Sequence, residues 1–130
     1  LGAQLAAQYG DYEPVPGYKV NGRYTLGENI ADLGGVTVAH QAYHLSLKGA
    51  EPPVIDGLTA DQRFFLGWAQ VWRRLYREEN LLTLLKTAPH SPSEFRCNGV
   101  VTNLPPFYEA FGVQPGDGLY SAPQMRIKIW

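Results

Sequence analysis

A chain of 130 residues is one domain or less, long enough to bury a modest core. Its net charge of −1, without any basic cluster, excludes a general pull toward nucleic acid or an anionic membrane surface. No apolar run approaches the roughly 20 residues of a spanning helix, and one cysteine, Cys97, excludes an internal disulfide.

The opening Leu1-Gly2-Ala3-Gln4 lacks an initiator Met and the basic and apolar regions of a signal peptide, so it reads as the interior of a longer chain. Leu1, Leu5 and Ala6 sit at helical spacing, which predicts the end of a helix reaching Tyr9. Residues 10–27 are rich in Gly, Pro and Tyr. Within them Asn21-Gly22 is a type I′ turn signal, predicting a short hairpin between 18–20 and 24–26, with an ordered loop as the alternative. A helix is expected from Gly27 to about Lys48, stopped by Gly49 and Pro52-Pro53.

That helix carries two pairs at i,i+4. Glu28 and Asp32 share one face, about 40° apart. Such a pair suits a metal site in which one carboxylate binds the cation and the other orients a neighbouring ligand, although E-x-x-x-D alone is more often a solvated face. Gly34-Gly35 would let another backbone approach closely. His40 and His44 have the spacing of the H-E-x-x-H zinc motif, but Gln41 stands where its general-base Glu would be. They are read as surface or packing histidines, with incidental metal binding as the alternative.

Thr59-Ala60-Asp61-Gln62 fits a capping box and predicts a helix over 59–76. Its stripe of Phe64, Phe65, Trp68, Ala69, Val71, Trp72 and Leu75 calls for burial. A shorter helix over 78–86 leads to His90, presented between Pro89 and Pro92. Ser91, Pro92 and Glu94 read as N-cap, N1 and N3 of the next helix, and Arg96 lies within reach of the same cleft as His90. One or two short helices interrupted at Pro105-Pro106 and a loop over 112–123 complete a mainly α reading with little or no sheet. In it the helices from Gly27 and Thr59 pack side by side.

Three segments resemble the neprilysin family of zinc metallopeptidases, the group that includes endothelin-converting enzyme. They are Val20-Asn21-Gly22-Arg23-Tyr24-Thr25-Leu26 running into Gly27-Glu28-Asn29-Ile30-Ala31-Asp32-Leu33-Gly34-Gly35, then Phe64-Phe65 with Ala69-Gln70-Val71-Trp72, then His90-Ser91-Pro92-Ser93-Glu94-Phe95-Arg96. They occur in family order, and Arg126-Ile127-Lys128-Ile129-Trp130 resembles the family's C-terminus. The resemblance implies the C-terminal helical portion of a thermolysin-like, gluzincin catalytic domain. It also implies that Glu28 is the third ligand of one zinc ion and that Asp32 holds a zinc histidine. Val71 and Trp72 would line the pocket for the residue after the scissile bond, leaving Phe64, Phe65 and Trp68 as core. His90 would hydrogen-bond the oxyanion of the tetrahedral intermediate, and Arg96 would grip the peptide's C-terminal side. Ala88 departs from the pattern: members often carry an acid there, two residues before the His, and without it a protonated His90 loses its expected support.

No H-E-x-x-H occurs in the chain, and none of the three histidines precedes Glu28. The implied mechanism, zinc-activated water with an upstream Glu as base, therefore expects H-E-x-x-H in the remainder of a parent polypeptide. The isolated chain is then expected to be inactive, to bind zinc weakly, and to self-associate through faces its parent would cover. The expected partners are peptide substrates and that remainder, with no nucleic acid and no membrane contact. A non-catalytic peptide-binding relative, or a helical domain binding metal through His40 and His44, are the alternatives. No N-x-S/T acceptor is present. With the single cysteine this favours a bacterial member, expected in the cell envelope, the periplasm or outside the cell rather than in the cytoplasm.

Overall fold

The computed structural model describes residues 1–129. Trp130, part of the terminal segment compared above, lies outside the described residues. Helices α1 (Gly2–Gly10), α2 (Leu26–Ser46), α3 (Ala60–Val71), α4 (Glu78–Thr87), α5 (Ser93–Val101) and α6 (Pro105–Phe111) are followed by a 3₁₀ turn at Pro123–Met125. Among the described residues the only β pairings are two isolated bridges, Val15 with Tyr18 and Ile55 with Leu58. The mainly α expectation is met.

α2 is the spine, roughly 31 Å long at 1.5 Å per residue. Asn29, Leu33 and Val36 recur at i, i+4 and i+7 and form its buried stripe. It ends where Lys48 and Gly49 turn left-handed, with φ 51° and 84°. α1 packs on α2, and its Leu5 and Tyr9 are fully buried. The core joins these to Phe65 of α3, Phe95, Val100 and Val101 of α5, Leu104, and Ile127 of the C-terminal segment.

Three expectations change. Asn21-Gly22 makes no hairpin: the Asn21 carbonyl and Oδ1 accept from the amides of Thr25 and Tyr24, winding the chain directly into α2. Gly22 is required for closeness instead, since a Cβ there would lie 1.9 Å from the Ala6 carbonyl oxygen of α1. At Gly35 the reverse holds, because a Cβ would meet nothing within 4 Å. α2 packs mainly on α1 and α5, and α3 on α6. The two long helices meet through larger side chains, from His44 with Asp61 past His40 with Phe64 and Phe65 to a groove shared by Val36, Ala39, Trp68 and Val71, and so lie side by side as expected. Finally, α3 begins at the expected Thr59–Gln62 capping box but stops at Val71, short of Tyr76. Leu75 is then fully exposed and Val71 largely so, outside the buried stripe.

Candidate active site

The first two turns of α2 present Glu28 and Asp32 toward α5. The loop between α4 and α5 brings His90, and the first turn of α5 brings Arg96. His90 Nε2 lies 3.1 Å from Glu28 Oε2. Arg96 donates from Nε to Asp32 Oδ2 at 2.6 Å and from Nη2 to Asp32 Oδ1 at 2.7 Å. That is a two-point fork, shorter and stronger than a neutral hydrogen bond. Nη2 also lies 3.6 Å from Glu28 Oε2. The Asp32 hydrogen bonds raise the Arg96 pKa above its ordinary value, against the opposing pull of burial. The guanidinium carbon sits 4.2 Å over the ring of Trp72, a cation–π contact.

A cavity of about 390 Å³ opens beside this cluster, with Val71, Trp72, Tyr76, His90 and Arg96 in its wall. Ala88 lines it too and contributes no carboxylate, so the acid facing His90 is Glu28 from across the cleft. All six residues singled out from the sequence, Glu28, Asp32, Val71, Trp72, His90 and Arg96, therefore meet around one cleft.

The sequence reading missed what holds them there. Ser91 is not the N-cap of α5; Pro92 takes that place, with no side-chain cap bond. The Ser91 hydroxyl is buried and donates instead to Asn29 Oδ1 at 2.8 Å. Asn29 Nδ2 donates to Thr25 Oγ1 at 3.0 Å, and Thr25 Oγ1 donates to the Asn21 carbonyl at 3.1 Å. In this relay the buried side chains of Ser91, Asn29 and Thr25 each find a partner. The chain ties the residue after His90 to the residue after Glu28, which sets the spacing of the pair. On the far wall the hydroxyls of Tyr76 and Ser93 share a 2.6 Å hydrogen bond that holds the segment after α3 against α5.

A metal ion would find one ligand here from this chain, the Glu28 carboxylate. Its contacts to His90 and Arg96 both fall on Oε2, and Oε1 takes part in neither. Carboxylate oxygen is an ordinary zinc donor, so the residues fit a zinc site completed by other ligands.

These features define a helical piece of a metallopeptidase fold. Residues 2–127 match the profile of peptidase family M13, and the chain belongs to that family. Endothelin-converting enzyme 1 of Bos taurus is 45% identical over 131 residues, covering 98% of this chain and 17% of that protein. Neprilysin-3 of Drosophila melanogaster is 36% identical, covering 97% and 16%. Among solved structures, the zinc metalloprotease Zmp1 of Mycobacterium tuberculosis, in complex with an inhibitor, superposes with a TM-score of 0.96 at 50% identity, covering 99% of this chain and 20% of that one. PepO from Lactobacillus rhamnosis superposes with a TM-score of 0.81 at 40% identity, covering 99% and 19%. The resemblance to the neprilysin group is borne out, with bacterial proteins among the similar structures. The chain spans about a sixth of the length of the curated relatives it matches.

Proposed function

We propose that this chain forms the substrate-binding C-terminal part of the catalytic domain of a zinc metalloendopeptidase. The observation that carries this reading is the convergence of Glu28, His90 and Arg96 beside a cavity walled by Val71 and Trp72. Glu28 would hold the zinc together with two histidines of an H-E-x-x-H segment elsewhere in the parent polypeptide. When bound, the ion supplies a Lewis acid that lowers the pKa of water at neutral pH. His90, next to Glu28 and open to the cleft, aims an imidazole donor at charge developing on the peptide carbonyl oxygen. Arg96 commits Nε and Nη2 to Asp32, so Nη1 is the donor left for a peptide carbonyl or carboxylate. Asp32, nearly buried, thus acts as a positioning residue for Arg96, in addition to any bond it offers a zinc histidine. Val71 and Trp72 receive an apolar side chain.

The remainder of the parent is also the partner proposed for the exposed Val71 and Leu75. Trp68 Nε1 and Trp72 Nε1 are buried without an acceptor among the described residues. Without that remainder the chain is inactive. The direct test is Glu28→Val in the full-length protein, read by zinc content and peptide hydrolysis. Loss of hydrolysis and of one equivalent of zinc per chain is expected. Normal zinc content with normal turnover would show that Glu28 is no ligand.

A further inference from the structure

The far end of α2 holds a second group of donors that the peptidase reading does not use. His40 and His44 project from α2 toward Asp61 in the first turn of α3. Their Nε2 atoms lie 3.1 and 2.8 Å from the same oxygen, Asp61 Oδ1. The three candidate donor atoms all fall within 4.8 Å of one another. His40 is twelve residues beyond Glu28, so this group sits about 18 Å along the helix from the cleft.

From these positions we infer a second metal site, a His₂–carboxylate centre for a divalent transition metal that bridges α2 and α3. Metal–donor distances of about 2.0–2.2 Å in a tetrahedron imply donor–donor edges of roughly 3.3–3.6 Å. Both nitrogen–oxygen edges therefore need to widen by roughly 0.2–0.8 Å. The donors are held before any ion arrives. The mostly buried His40 ring stacks on Phe65, with centroids 5.6 Å apart, and meets Phe64 edge-on at 5.2 Å. Asp61 is fixed by the reciprocal Thr59–Gln62 capping box. His44 is half-exposed and leaves the fourth position open to water. Two imidazoles and one carboxylate suit zinc and its neighbours in the first transition row rather than magnesium or calcium, which take oxygen ligands. In the absence of the ion the same atoms satisfy one another by hydrogen bonds, so the site can load without leaving a buried group unpaired.

An ion here would pin the first turn of α3 to α2 and so steady the helix whose other end carries Val71 and Trp72. The inference does not depend on the peptidase reading, and the test keeps the two apart. The full-length protein and its Glu28→Val variant are stripped with chelator and dialysed against zinc. Each is then compared with its His44→Ala and Asp61→Asn derivatives for zinc per chain and for the rise in thermal midpoint that zinc produces. In both backgrounds the derivatives should bind one equivalent less and lose that rise. Should Asp61→Asn fail to fold, the half-exposed His44 position decides alone. Equal zinc content and equal midpoint rise with and without His44 would overturn the site. A loss confined to the background with Glu28 intact would assign the metal to the catalytic cleft instead.

Discussion

Arg96 has three partners on two segments: Asp32 through a two-point fork and Glu28 through Nη2, both on α2, and the face of Trp72 after α3. A lysine there would keep the charge and lose the planar fork. His90 is simpler: among the described residues its ion-pair partner is Glu28. If the imidazole stabilises charge that exists only in the transition state, His90→Gln in the full-length protein should lower kcat by about 10²- to 10³-fold while KM changes little. An equal loss in binding and turnover would argue against that role. The grouping of Glu28, His90 and Arg96 was legible because each sits in a short segment that resembles the family's. Asn29 and Ser91 lie inside the same segments and were not. Their partnership spans 62 residues of sequence, and no local pattern tells a buried hydroxyl bonded across the fold from an N-cap.

At the scale of elements, the capping box of α3 and the glycine stop after α2 were readable, since both are local backbone chemistry. The end of α3 was not: the apolar pattern runs past Val71, but the chain leaves the helix so that Trp72 turns toward Arg96 and Tyr76 reaches Ser93. Asn21-Gly22 carries the sharper lesson. A turn signal stated that glycine was wanted without stating why, and the reason is the backbone of α1 pressed against it. Gly22→Ala puts a methyl group against the Ala6 carbonyl, which backbone alone can relieve. It should destabilise the fold by about 1–3 kcal/mol, read as a lower urea midpoint at unchanged slope. An unchanged midpoint would mean that α1 and the entry to α2 separate freely.

For the molecule as a whole, the contact between α1 and α5 is aromatic. Tyr9 is fully buried and donates to the Phe95 carbonyl at 3.1 Å, while Tyr12 stacks on the Phe95 ring with centroids 4.5 Å apart. Burial raises the pKa of both phenols above the ordinary value of 10.0. The folded state therefore keeps protons that the unfolded chain releases, so this stability is complete below about pH 10 and falls as pH climbs beyond it. Thermal midpoints of the full-length protein measured between neutral and strongly alkaline pH should hold level and then drop. Tyr9→Phe, which has no proton to release, should soften the drop. An equally steep decline in that variant would place the alkaline sensitivity elsewhere.

The guanidinium lying over Trp72 also makes the cleft visible in the near ultraviolet. Indole emission and its circular dichroism respond to a cation held against the ring face. A peptide that drew Arg96 toward itself would move that cation, so occupancy of the cleft would be readable in the intrinsic fluorescence of the protein without an added label.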